Sequence, residues 1–380
     1  MSIVVAVVAA LLALLTLALL TLALHRRLAV APGWPRGVRL TSAALLGLTW
    51  LLTLTAFAMQ SGALDPRRGR WVAWAGLTWL VVAWYLLMGV AVLGIACLAV
   101  RLVRRPDLRR TLLRVGTPLV VVAAVGATGY GVSEASQPSV TPVTVTSPDL
   151  PAGLDGLRIV LVTDLHAGPI REASFTRRVV DLVNAQRPDV VVLGGDLVDG
   201  RGAQVGEVLA PLADLRAPLG VYAVSGNHEF ISQEADAWLT RWETLSIRVL
   251  RNEHVRIERG GASLTVAGVH DPTGRGTDAS DAARALQGVD PAGFTLFVAH
   301  QPKTAENVQG RGVDLQLSGH THGGQVWPFR YLVPLPQPVL DGLATVGDVP
   351  VLTSRGVGAW GPPVRVLAPP EVPVVTLRRG

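Results

Sequence analysis

The sequence predicts membrane-spanning α-helices followed by an α/β domain. Two observations carry this prediction. The first 135 residues hold four long apolar runs. Beyond them, short runs of Val, Ile and Leu alternate with an amphipathic segment, the pattern of a sheet covered by helices. A third observation bears on chemistry, because five of those short runs end directly in Asp, Asn or His.

The apolar runs come first. Residues 2–24 carry no charge. At roughly 1.5 Å per residue they can cross a hydrocarbon core about 30 Å thick. No basic residue precedes this run and no small-residue cleavage pattern follows it, so a span is read in preference to a signal peptide. Residues 40–64, 71–100 and 113–132 are each long enough to span as well. Trp71 and Trp84 suit interfacial anchoring, Trp50 suits either that or a place at depth, and His25 falls at the end of the first run. No Asp, Glu or Lys lies within the spans, which favours an anchor over an ion pathway. The expected organisation is a membrane domain of residues 1–135 with four transmembrane helices, then a domain of residues 136–380.

Charge supports the division. Of 34 basic and 28 acidic residues in 380, residues 1–135 hold 13 Arg and 3 acids, a balance of +10, and the remainder carries −4. A nucleic-acid enzyme concentrates its basic excess on the binding domain. Here the second domain is mildly acidic, so no nucleic-acid partner is expected. The loop after the first span has Arg26, Arg27, Arg36 and Arg39. The loop after the third has Arg101, Arg104, Arg105, Arg109, Arg110 and Arg114. The positive-inside rule puts both in the cytoplasm, and hence residues 136–380 on the extracytoplasmic side of a multi-pass cell-membrane protein. Cys97 is the single cysteine and lies in an apolar run, so no disulfide forms within the chain.

In the second domain, residues 140–146 alternate β-branched residues and suit an edge strand. Buried strands are expected at 158–162, 190–193, 221–224, 264–269, 295–298 and 315–317, and an amphipathic helix at 174–186. Strand 158–162 runs into Thr163-Asp164-Leu165-His166, and 190–193 into Gly194-Gly195-Asp196. Strand 221–224 runs into Ser225-Gly226-Asn227-His228-Glu229. Strand 295–298 leads to His300, and 315–317 to Ser318-Gly319-His320-Thr321-His322. The C-terminal edge of an α/β sheet is where ligand sites form. Imidazole, carboxylate and amide oxygen suit Mn, Fe or Zn. Two such ions about 3.5–4 Å apart can bind both oxygens of a phosphoryl displacement and generate hydroxide near neutral pH.

A lone Asp-x-His or Gly-Asn-His-Glu is a weak signal. All five blocks in this order resemble the calcineurin-like metallophosphoesterase superfamily, over about residues 140–380. The run 319–325, Gly-His-Thr-His-Gly-Gly-Gln, resembles a bacterial branch of small, membrane-anchored phosphodiesterases, as do Ser354-Arg355-Gly356 and Pro369-Pro370-Glu371. The resemblance implies a two-sheet β-sandwich flanked by helices, an α/β/β/α arrangement. It implies a dinuclear centre of two divalent metal ions that hydrolyses phosphate esters, diesters foremost, with hydroxide formed at the metals. Asp164, His166 and His322 would hold one ion, Asn227, His300 and His320 the other, and Asp196 would bridge them. His228 would be the catalytic residue and not a ligand, facing the leaving-group oxygen as general acid or stabilising charge on the phosphoryl group.

The remaining polar residues carry weaker signals. Asp199 reads as a turn or hydrogen-bonding residue, His254 as a surface or turn residue, and His270 as a candidate supporting or substrate residue. Arg275, in a loop spanning 271–281, is a candidate phosphate contact. Location points to lipid-linked or cell-envelope substrates and to membrane lipids as partners. The rival readings are a non-catalytic metal-binding or sensing membrane protein, and a cytoplasm-facing nucleotide phosphodiesterase.

Overall fold

The computed structural model describes residues 3–380, and for residues 3–11, Ala13 and Arg68 it describes the backbone alone. The chain divides into two compact units. One comprises residues 1–58 and 71–130, the other residues 59–70 and 131–380.

The first unit is helical: α1 (Ile3–His25), α2 (Arg36–Gln60), α3 (Arg70–Leu102) and most of α4 (Pro106–Ala135). Helices α2, α3 and α4 are each long and apolar enough to cross a membrane, the mark of a membrane protein. The first sequence-predicted span coincides with α1, where the side chains of residues 3–11 and Ala13 lie outside the described residues. Helix α4 starts before the apolar run at 113. Pro106 opens it, and Arg109, Arg110 and Arg114 extend it, because Pro suits the first turn and Arg is a good helix former. Leu24, Leu46, Leu86 and Ala124 form a buried cluster, and Thr53 Oγ1 donates to the Gly76 carbonyl at 2.7 Å between α2 and α3. That bond satisfies a hydroxyl in an apolar setting.

The second unit holds two six-stranded sheets. Strands β1 (Ser139–Ser147), β2 (Arg158–Val162), β3 (Val190–Leu193), β4 (Val221–Ala223) and β5 (Arg248–Val249) belong to one sheet. Strands β6 (Glu253–Arg259), β7 (Ala262–Gly268), β8 (Phe294–Val298), β9 (Leu315–Ser318), β10 (Gly342–Val346) and β11 (Val349–Thr353) build the other. The final strand, β12 (Glu371–Arg379), returns to the first. The orders are β1-β12-β2-β3-β4-β5 and β10-β11-β9-β8-β7-β6. Strands β2 to β5 are mutually parallel, as are β7, β8, β9 and β11. Strand β1 lies at a sheet edge, as its alternating polar pattern predicted.

Buried parallel strands have two apolar faces, and each face finds a partner here. Ile159, Leu161, Val190 and Val192 meet Leu264, Val266, Leu296 and Leu317 between the sheets. The other face of the first sheet packs on α5 (Ala173–Ala185), where Phe175, Thr176, Val179, Val180 and Val183 make the buried stripe expected of an amphipathic helix. Trp238 and Trp242 complete that layer from α8 (Ala235–Glu243). It follows two shorter helices, α6 (Gly202–Val205) and α7 (Asn227–Ile231). The outer face of the second sheet is covered by Ala285, Ala305 and Val308, which lie on short helical turns or next to one. The α/β/β/α layering implied by the motifs is therefore the observed fold.

Candidate metal centre

All eight sequence-predicted site residues lie at the C-terminal edge of the sheets. Asp164 and His166 follow β2, Asp196 follows β3, and Asn227 and His228 begin α7 after β4. His300 follows β8, and His320 and His322 follow β9. The backbone turns sharply at each point. Asp164, His166, Asp196, His320 and His322 all have positive φ, between 46° and 70°. For residues other than Gly this conformation costs on the order of 1–3 kcal/mol each and clusters where a site demands it.

The side chains converge. Asp164, His166 and His322 bring one donor atom each within 4.8 Å of one another. So do Asp196, His300 and His320, and so do His166, Asp196 and His228. Asp196 belongs to two of these groups, which suits a shared position. His166 Nε2 faces His322 Nε2 at 3.1 Å, and His322 Nε2 is 3.3 Å from Asp164 Oδ1. Nitrogen lone pairs that close repel unless a proton or a cation stands between them. His320 Nδ1 lies 2.9 Å from Asn227 Oδ1. His300 Nδ1 bonds the Gly194 carbonyl at 2.8 Å, which aims Nε2 inward. That nitrogen is buried and makes no hydrogen bond, although Asp196 Oδ2 is 3.2 Å away. A buried polar atom left without a partner is costly, and a cation would satisfy it.

The donor set is four imidazoles, two carboxylates and an amide oxygen, with no thiolate among them. It fits Mn, Fe or Zn. Metal binding requires unprotonated imidazole, and burial pushes His322 down to about 4 against the opposing pull of Asp164. Burial alone would raise the carboxyl groups of Asp164 and Asp196, but the neighbouring His residues hold both below the usual range. A cation between His322 Nε2 and Asp164 Oδ1 would take the place of a proton there.

His228 contrasts with His166 and His300. It keeps 15 % side-chain exposure, whereas His166 and His300 have none. Its Nδ1 lies 2.6 Å from Asp199 Oδ1, and the same oxygen is 2.9 Å from His166 Nδ1. Burial opposes charge on His228, but Asp196 and Asp199 outweigh it and raise the imidazole to about 10. Asp199, read from sequence as a hydrogen-bonding residue, thus orients two imidazoles at once.

Three residues important to the site went unassigned in the sequence. Glu229 is fully buried and accepts from the N–H groups of Asp196, Leu197 and Gly226 at 2.7–3.0 Å. Burial and the charge of Asp196 push it up to about 7. Glu371 clasps Arg355 through both main chain and guanidinium, at 2.9 and 2.6 Å, which joins the two late motifs. Arg365 is entirely buried. It donates to the carbonyls of Gly358, Ala368, Arg355, Gly356 and His322, and to His322 Nδ1 at 3.2 Å. Glu229 and Glu371 carried a signal, each as a member of a motif block, and Arg365 carried none.

The other candidates lie apart from the donor groups. His270 is buried behind Ser225, whose Oγ is 3.3 Å from Nδ1, and stacks edge-on with Phe230. His254 stands within β6 and bonds the Ala285 carbonyl, so it is a strand residue and not a turn. Arg275 is exposed at a loop turn, while Asp271 in the same loop is buried and bonded by Thr273 and Gln301.

A two-sheet sandwich with this donor set defines a metallophosphoesterase-type centre. The Calcineurin-like phosphoesterase family profile matches residues 157–324. The chain is 33 % identical over 243 residues to an uncharacterized metallophosphoesterase of Aquifex aeolicus, covering 62 % of this chain and 90 % of that one. It therefore belongs to the calcineurin-like phosphoesterase family. It is also 32 % identical over 292 residues to a zebrafish (Danio rerio) protein named transmembrane protein with metallophosphoesterase domain, covering 74 % of this chain and 65 % of that one. Identity to an uncharacterized metallophosphoesterase of Helicobacter pylori is 39 % over 225 residues, covering 58 % and 60 %. The chain thus spans a little under two thirds of the length of these last two relatives.

Proposed function

We propose that this protein is a metal-dependent phosphoric-ester hydrolase, acting on phosphodiesters, held in the cell membrane by a multi-pass domain of residues 1–135 with four spans. The catalytic domain is residues 136–380. The observation that carries this reading is that Asp164, His166, Asp196, His300, His320 and His322 close into overlapping donor groups, with Asn227 Oδ1 2.9 Å from His320 Nδ1 and with a buried His300 Nε2 that makes no hydrogen bond. In this reading Asp164, His166 and His322 hold one divalent ion, Asn227, His300 and His320 a second, and Asp196 is shared. The ions, when bound, supply Lewis-acid polarisation of the phosphoryl group and acidify a water.

The remaining chemistry belongs to the chain. His228, at the mouth of the site and charged near neutral pH, is positioned to give its Nε2 proton to the leaving oxygen. Asp199 fixes the His228 ring through Nδ1 and stabilises its charge. Arg365 and the strained turns hold His322 in place before substrate arrives. The arginines flanking the first and third spans support an extracytoplasmic catalytic domain. The residue 59–70 loop supports it too. Gln204 Nε2 donates to the Gly62 carbonyl, and Arg70 pairs with Glu172, contacts that support placing this loop with the catalytic domain.

The test is hydrolysis of bis-p-nitrophenyl phosphate by full-length protein, stripped of metal and then given Mn, Fe or Zn. Metal-dependent turnover that disappears in Asp196→Asn and falls steeply in His228→Ala is expected. Turnover that ignores added metal would overturn the reading. For orientation, a reporter active only in the cytoplasm should be silent when fused after Gly380, and activity there would invert the topology.

A further inference from the structure

The segment that follows His322 is unusually apolar at its surface. Within residues 327–335, Trp327, Phe329, Tyr331 and Leu335 are all exposed, Tyr331 at 69 % and Leu335 at 82 %. Isolated exposed apolar residues are ordinary, but contiguous ones mark a binding surface. These are contiguous with two more. Gln325 clasps the backbone of exposed Trp360, accepting from its N–H at 2.9 Å and donating to its carbonyl at 2.8 Å. Trp327 N–H donates to the Val366 carbonyl at 3.1 Å, and the next residue, Leu367, is exposed with φ 57°. A bulky side chain in the left-handed region costs free energy. Here that conformation presents a leucine to the outside.

The surface is tied to the end of a membrane-spanning helix. Arg365 N–H donates to the Gly131 carbonyl at 2.9 Å. Gly131 lies in the last turns of α4, where the uncharged run after Arg114 closes just before Glu134. A Cβ on Gly131 would sit 2.6 Å from Val364 and 2.7 Å from Val366, so only glycine lets the helix come this close. Val366 bridges Val326 as a parallel strand partner, at a spacing of about 5 Å. The apolar surface therefore begins one strand away from the segment bonded to Gly131. Trp and Tyr are the side chains that favour the headgroup level of a bilayer.

We propose that Trp327, Phe329, Tyr331, Leu335, Trp360 and Leu367 form a lipid-docking surface that inserts into the interfacial layer of the anchoring membrane. This sets the substrate class of the neighbouring metal centre as membrane-resident amphiphiles bearing a phosphodiester headgroup. The metal-ligand segment and the docking segment are one piece of chain: Gln325 is three residues beyond His322, and Arg365 bonds both the His322 carbonyl and Gly131. Docking would bring lipid headgroups to the opening where His228 is exposed. The substrate part rests on the phosphodiesterase reading, while the docking part stands on geometry alone.

The experiment uses full-length protein reconstituted into phosphatidylcholine vesicles. Two substrates share one chromogenic leaving group: soluble bis-p-nitrophenyl phosphate and a diacylglycerol p-nitrophenyl phosphodiester resident in the vesicle. Leu335→Ser and Trp360→Ser should each lower turnover of the lipid about tenfold or more while leaving the soluble diester unchanged. In parallel, Leu335→Cys in a Cys97→Ala background carries an environment-sensitive fluorophore, and quenching by brominated phosphatidylcholine is expected. An unquenched label, or equal loss on both substrates, would overturn the proposal. If the unsubstituted protein hydrolyses neither substrate with any metal, the catalytic reading fails. The label then decides the docking surface alone, with quenching keeping it and no quenching removing it.

Discussion

Asp199 Oδ1 lies 2.6 Å from His228 Nδ1, a contact between side chains 29 residues apart that fixes the ring of the proposed acid. Burial would raise the Asp199 carboxyl, but His166 and His228 together hold it well below the usual range. Asp199→Asn keeps the shape and removes the charge. It should lower kcat by about 10–100-fold, the usual effect of removing a group that orients a ligand or catalytic imidazole. Steady-state kinetics on bis-p-nitrophenyl phosphate decides the matter, and an unchanged kcat would dismiss the orienting role.

Gly226 precedes Asn227 and has an ordinary φ of −102°, so its requirement is purely steric. A Cβ there would collide with Asp196 Oδ1 and its backbone nitrogen. Gly226→Ala should displace the shared carboxylate. Overpacking of this kind costs roughly 1–3 kcal/mol. The checks are thermal unfolding and bound metal per chain by elemental analysis. Retention of two ions at full stability would count against a shared Asp196.

Arg365 supplies five carbonyls and His322 Nδ1 from one planar group. Burial lowers it to about 9, so it remains a cation at neutral pH. Lysine has three donors on one point and cannot span these acceptors. Arg365→Lys should leave buried carbonyls unbonded, at about 1–3 kcal/mol each, and weaken metal retention. A melting temperature and metal content equal to those of the parent protein would refute this.

His270 gives a pH dependence free of the metal ligands. Burial lowers its pKa from 6.5, and the nearer charges, Asp278, Arg251, Asp236 and Arg284, partly offset one another. Below about 6.5 the unfolded chain binds a proton that the folded chain resists. The stability contributed by neutral His270 is thus present above about pH 6.5 and is lost as pH falls through that value. His270→Asn should flatten the difference in melting temperature between about pH 7.5 and about pH 5.5. An unaltered difference would show that another group sets the slope.

Much of this protein is written locally. Each expected donor directly follows a short apolar run, and an apolar run ending in a tight turn reads the same in sequence as in space. The strands at 158–162 and 190–193, the edge strand, the helix near 174–186 and the donor positions at the sheet edge were all legible for that reason. Helices α2, α3 and α4 were legible as long apolar runs because the length a bilayer demands shows in composition alone.

What the sequence could not state is held in contacts between distant residues. β12 inserts between β1 and β2, although more than 200 residues separate it from either. Asp199 meets His228, Glu371 meets Arg355 and Arg365 meets His322 across separations of 29, 16 and 43 residues. No local pattern encodes such pairs, because a hydrogen bond depends on where two segments pack and not on what lies beside them in the chain. Sequence alone thus indicated the strands that lead to the expected donors, the helix at 174–186 and the chemistry those donor types could support, while β5, β6 and β10 to β12 were not among its expectations. Only the tertiary structure decided which carboxylate orients which imidazole, and that exposed apolar side chains follow the segment that carries His322.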